Sequence, residues 1–326
     1  MVVLTHSIQW GSGKDFYQEN VFFNDPLFKF IYGYHMPLFM VVSGYLFRRT
    51  IQRHSCMEIV TSRLRTLMLP IVTCQTLYLC CLLILGMTML SVGWMYSYTS
   101  ALWFLWSALI CSFITLIGHA AFKDSLLFHV AVLVMLLLIP AEKLSGLHVF
   151  MYPYFVVGFY WNKLNCSKQY RRLSYMKKWS LLMTSFGLYV SLCIFYDCPE
   201  RSVYVNGVSL QGRPSVWVQL FIDSVRYVYG GLGVAMTMIA VDLWIEGQQL
   251  TSNSNLKWLL FLGRNTLGIY IFNYYTTQLL QFIPIDGHYY YMASIVETVM
   301  MLMGACTMIW FVRRNRIVRL LILGEK

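Results

Sequence analysis

The stretch FKFIYGYHMPLFMVVSGYLFRR, residues 28–49, decides how this chain is read. It is apolar over about the 20 residues a helix needs to cross a bilayer, and it ends on a pair of arginines. Its interior nevertheless holds a histidine, a proline and a Ser-Gly pair. A titratable side chain inside hydrocarbon is costly, and it normally faces a partner or a polar cavity. His35 therefore needs a reason to be there.

The rest of the chain has the same character. Of its 326 residues, 58% are hydrophobic and 12% charged, and mean hydropathy is +0.58. Soluble domains carry roughly 25% charged residues. Apolar runs recur at 27–47, 66–86, 99–119, 124–140, 147–162, 179–196, 215–243, 256–283 and 290–312. Met1 to Trp10 is apolar but half the length of a crossing, and too short for a secretory signal with a charged leader. Counting it, about ten helices are expected, in one all-α polytopic transmembrane domain spanning 1–326. Nine cysteines occur without CxxC spacing, which reads as small core residues and not as a disulfide framework. No HExxH, P-loop or GxSxG pattern is present, and no metal is expected.

A net charge of +11 raises the question of nucleic acid. The distribution points elsewhere. With the C-terminus cytoplasmic, 19 of the 25 lysines and arginines fall on the inner side, and Lys14, Lys29, Lys143, Arg201, Arg213 and Arg226 on the outer. The positive-inside rule thus assigns a cytoplasmic C-terminus, and the tail VRRNRIVRLLILGEK reads as a juxtamembrane anchor. In this frame His35 lies about 12 Å below the outer surface and His6 about 7.5 Å, on antiparallel helices. Each alone is as well explained by a hydrogen bond to a neighbouring helix; two at similar depth favour a functional role. Asp223 and Arg226, one turn apart, are either a local ion pair or the lining of a polar cavity. Arg63 and Arg65, before Pro70, are either a topological signal or paired donors for phosphate.

YHMPLFMVVSGYLF resembles the signature of the membrane acyltransferase-3 family, in particular its fucose 4-O-acetylase-like O-acetyltransferase branch. That branch typically shows Phe-His-Met-Pro-Leu-Phe-Phe followed by Ser-Gly-Tyr. VVLTH, SRLRTLMLPIV, LWFLWSALI, YPYFVVGFYWNK and FLGRNTLGIYIFN are similar to further family segments, in the same order. The resemblance implies transfer of an acyl group, usually acetyl from cytoplasmic acetyl-CoA, to a hydroxyl of an extracytoplasmic or lipid-linked saccharide at the plasma (inner) membrane. It implies catalytic roles for His6 and His35, coenzyme binding at Arg63 and Arg65, and a branch arginine at Arg226. Imidazole is suited to taking a hydroxyl proton. Ser43, Asn273 or Arg226, the last held by Asp223, would donate to the oxyanion. The expected partners are acyl-CoA, a saccharide or glycolipid and membrane lipids, with no nucleic acid. His35 is then explained by a polar tunnel through the bundle.

The chain departs from the family at three points. Its arginines are spaced Arg-x-Arg, where many members have Arg-x-x-Arg, and Thr66 holds the later position. Asn273 stands where a histidine commonly follows Ile-Tyr. Members usually begin about a dozen residues earlier, so upstream residues including a basic one are expected. A glycan transporter or flippase of similar architecture is the alternative, although no inverted repeat supports it.

Overall fold

The computed structural model describes residues 1–11, 21–86, 93–138, 146–163, 166–195, 215–251, 256–282 and 290–325. Lys14, Lys143, Arg201 and Arg213 lie outside the described residues. The fold is all-α, with no strand among the described residues. Its helices are α1 (Val2–Trp10), α2 (Pro26–Tyr32), α3 (His35–Ile51), α4 (Cys56–Arg63), α5 (Leu69–Ile84), α6 (Gly93–Ser100), α7 (Trp103–Phe122), α8 (Leu126–Leu138), α9 (Gly146–Lys163), α10 (Cys166–Arg171), α11 (Tyr175–Phe195), α12 (Val216–Thr251), α13 (Leu256–Thr276), α14 (Tyr290–Arg314) and α15 (Arg316–Leu323).

Among the described residues, five stretches are long and apolar enough to cross a bilayer: Pro26–Ile51, Cys56–Ile84, Trp103–Phe122, Val216–Gly247 and Tyr291–Arg314. Helices α9, α11 and α13 have the length, 18, 21 and 21 residues, but mix more polar side chains into it. The chain is a polytopic membrane protein. It divides into two compact units, Met1–Phe28 with Thr61–Trp106 and Ser254–Lys326, and Lys29–Val60 with Ser107–Asn253.

The run that opens the sequence argument is not one continuous helix. Asp25 caps α2, its Oδ1 accepting from Phe28 N–H at 2.7 Å, with Pro26 at the first helical position. Helix α2 stops at Tyr32 and α3 starts at His35. Between them a Cβ on Gly33 would run into the Tyr229 ring, so only glycine fits. The break loosens the last turn of α2, where Lys29 O and Ile31 O accept from Gly33 N–H at 3.3 Å and Tyr34 N–H at 3.4 Å and hydroxyl donors join them. Tyr189 OH donates to Phe30 O at 2.5 Å and Tyr229 OH to Lys29 O at 3.2 Å. The two phenol rings stack at 4.6 Å. Pro37 falls in the first turn of α3, where its missing N–H costs nothing.

The Ser-Gly pair has a packing reason. A Cβ on Gly44 would strike Phe155 O, and one on Gly158 would strike Val41 O. Helices α3 and α9 therefore cross backbone to backbone, the close approach that small residues allow in membranes.

In the same unit, Asp124 gathers four groups. Arg48 NH1 donates to its Oδ2 at 2.7 Å, and His119 Nδ1 lies 2.9 Å from Oδ1. Tyr160 OH and Lys163 Nζ donate to its main-chain carbonyl at 2.8 and 2.9 Å. Burial pushes the carboxyl up. The His119 and Arg48 hydrogen bonds and the Arg48 charge outweigh it and hold the group below its ordinary 3.8. A carboxyl held low stabilises the fold at neutral pH and loses that contribution as pH falls through its folded value. Asp124→Asn is accordingly expected to cost about 3 kcal/mol at neutral pH, the low end for breaking a buried pair. The variant should also lose less stability than wild type between about pH 5 and 3. Melting curves of both proteins in neutral detergent check this; superimposed curves would show that the hub contributes nothing.

The first unit contains a second irregularity. Between α4 and α5 the chain makes a π turn, Leu64–Met68, closed by Leu69 N–H on Leu64 O, five residues back. Pro70 supplies the cause. A regular turn would press its ring against the Thr66 carbonyl and leave that carbonyl without a donor. The wider turn accommodates both, and π turns of this kind are frequent at functional sites. The sequence places Arg63 and Arg65 before a helix starting at 66; they lie instead inside one helical run, Cys56–Ile84.

Candidate active site

The sequence candidates divide between the units. His6, Arg63, Arg65 and Asn273 belong to the first, and His35, Ser43, Asp223 and Arg226 to the second.

In the first unit α1 packs against α14 and α13. Thr298 Oγ1 and Ser7 Oγ are 3.1 Å apart, which fixes the register of α1 on α14 and puts Glu297 against it. A Cβ on Gly11 would collide with the Glu297 carboxylate. Glu297 is 3% exposed, and neither carboxylate oxygen has a hydrogen-bond partner among the described residues. Asn273, 2% exposed, likewise has both amide atoms without one. Buried polar groups left unsatisfied are rare and expensive, and they mark places where something else is bound or transferred. His6 Nδ1 lies 3.3 Å from Gln9 Oε1. An amide oxygen accepts, so Nδ1 carries the proton and Nε2 is the basic nitrogen.

Arg63 closes α4 and Arg65 sits within the π turn. Gly324, at φ +64°, packs against the main chain of Arg65 and Thr66. The last residues of the chain thus lie beside the turn that carries the arginine pair.

In the second unit the helix break positions His35. Its Nδ1 lies 3.1 Å from Ile31 O, which also accepts from Tyr34 N–H at 3.4 Å. A carbonyl can only accept, so His35 also holds its proton on Nδ1 and presents Nε2 as the base. The ring is 4% exposed. On α12, Arg226 NH1 pairs with Asp223 Oδ1 at 3.1 Å, and Gln219 Nε2 donates to the same oxygen at 2.9 Å. The local ion pair foreseen from the sequence is present, and both its members are buried. Arg226 lies one turn before Tyr229, the residue that fills the gap at Gly33. Ser43 is half-buried on α3.

Glu297 is the residue the sequence argument passed over. The rule that singles out His35 and Arg226, an ionisable group within an apolar span, applies equally to this lone acid in 290–312. Other histidines have ordinary partners: Tyr152 OH at 2.6 Å from His129 Nδ1, and Ser107 Oγ at 2.6 Å from His148 Nδ1. Among the described residues, no three His, Cys, Asp or Glu side chains group as metal ligands would.

Comparison with known proteins adds three findings. The model of the acyltransferase-3 family, an acyltransferase domain, matches residues 1–314. The chain is similar to the nodulation protein NolL of Sinorhizobium fredii, 26% identical over 298 residues that cover 86% of this chain and 76% of the relative. It is similar to the nodulation protein NolL of Mesorhizobium japonicum, 31% identical over 174 residues, 49% of this chain and 43% of the relative. No solved structure matches it.

Proposed function

We infer the reaction from what the chain is: it belongs to the acyltransferase-3 family and is a membrane acyltransferase. The donor is acyl-CoA, acetyl-CoA first, presented from the cytoplasm, and the acceptor is a hydroxyl of an extracytoplasmic or lipid-linked saccharide. The protein works in the plasma or inner membrane with its C-terminus cytoplasmic. The saccharide assignment is supported by the likeness of residues 34–47 to the O-acetylating branch.

The observation that carries the chemistry is the Nδ1 bond of His35 to Ile31 O. It leaves Nε2 as the nitrogen that takes the acceptor's proton. The acceptor oxygen then attacks the thioester carbonyl and forms the new C–O bond. Arg226, in the same unit as His35, donates to the oxyanion as it develops. The C–S bond breaks, and the thiolate leaves with the proton that the imidazolium returns. Arg63 and Arg65 hold the coenzyme phosphates through paired N–H donors.

The test is purified protein given radiolabelled acetyl-CoA and a polysaccharide acceptor. Label is expected on the acceptor as an ester. Arg63→Ala with Arg65→Ala is expected to raise the half-saturating acyl-CoA concentration about 10-fold or more, the loss of one or more hydrogen bonds to a charged group, with the acceptor requirement unchanged. A variant altered only in insertion or orientation, with its coenzyme response intact, would remove the arginines from the donor site. A wild-type protein that moves acceptor across vesicles without labelling it would replace transfer by transport.

A further inference from the structure

We propose that the first unit carries a binding site for an anionic phospholipid, separate from the residues assigned to acyl transfer. A cavity of about 400 Å³ is lined by Lys257, Leu260, Phe261, Arg264, Asn265 and Arg313. The spacing of Lys257, Leu260, Phe261 and Arg264 puts them along one side of α13.

The floor of the cavity is rigid. Arg313 donates from Nε and NH2 to the two Glu325 oxygens at 3.0 and 2.6 Å, and from NH1 to Asn265 Oδ1 at 2.6 Å. Asn265 in turn donates to Phe261 O at 2.8 Å. Glu325 thus balances Arg313, while Lys257 and Arg264 stand exposed at the rim. Residues 256–276 and 312–324 contain six lysines and arginines and no acid. The local charge asks for an anion.

The walls say which kind. Leu260 and Phe261 are about half exposed beside the cations, which suits an acyl chain and not a free anion. The same end of α14 shows interface chemistry. Arg314 lies 3.7 Å over the Trp310 ring, and aromatic and basic residues together mark the headgroup level. Helix α15 follows, capped by Asn315 Oδ1 on Ile317 N–H and Val318 N–H, with Ile317 exposed and Leu323 buried. A phosphate seated on Lys257 and Arg264, with a chain running along Leu260 and Phe261, satisfies both the charge and the apolar surface.

The test is native mass spectrometry of the full chain in neutral detergent, with phosphatidylglycerol, phosphatidylcholine, inorganic phosphate and acetyl-CoA added separately. Wild type is expected to retain phosphatidylglycerol in preference to phosphatidylcholine. Lys257→Gln with Arg264→Gln is expected to weaken that retention roughly 30-fold, from the loss of two charges near the surface. Lys257→Arg with Arg264→Lys is expected to keep it. The proposal is overturned by equal retention of the two lipids, or by full retention in the neutralised variant. Displacement of phosphatidylglycerol by inorganic phosphate or by acetyl-CoA at low concentration also overturns it, since the cavity would then belong to a soluble anion.

Discussion

His35→Ala is expected to lower acyl transfer at least about 100-fold, the low end of what a general base contributes. The protein should still insert and purify as wild type does. Loss of the hydrogen bond to Ile31 O costs about 1 kcal/mol. The helix break does not depend on it, because Tyr189 and Tyr229 hold the neighbouring carbonyls. Transfer at wild-type rate would reduce His35 to a helix-break partner and leave His6 as the base.

Glu297→Gln is expected to lower transfer by about 100-fold while the melting temperature holds or rises. The two halves of this expectation have one cause. A buried carboxylate without hydrogen bonds destabilises the fold, and an amide of the same shape relieves that cost. If the charge is kept for function, function is lost with it. Glu297 lies against α1, the helix of His6, so combining it with His6→Ala should cost less than the two single losses together. Turnover unaffected by Glu297→Gln would rule the carboxylate out of the reaction. A fall in both turnover and stability would make it a structural group.

The sequence showed the class of fold and several of the polar groups because each rests on local or compositional physics. A bilayer admits little besides apolar helices, so hydropathy alone separates this chain from soluble proteins. Asp223 and Arg226 are one turn apart in any helix, and their pairing follows from that spacing. The break before His35 was not legible. Its cause is two phenols 159 and 200 positions away in the chain, and nothing within residues 28–49 names them. Runs such as 147–162 and 256–283 carry more polar side chains than the five stretches that, among the described residues, are long and apolar enough to cross. Pro70 is visible in the sequence, but the turn it widens inside one longer helical run is not.

That widened turn sets the rotation of the arginine-bearing segment before it relative to the helix after it. Successive residues of an α-helix are rotated by about 100°, and a turn closed over five residues takes in one letter more than a regular turn. Residues on its two sides are therefore turned relative to one another, compared with an unbroken α-helix, by about one residue's rotation. Deleting one residue from 64–68 would turn the helix before it by about 100° and carry Arg63 to a different face.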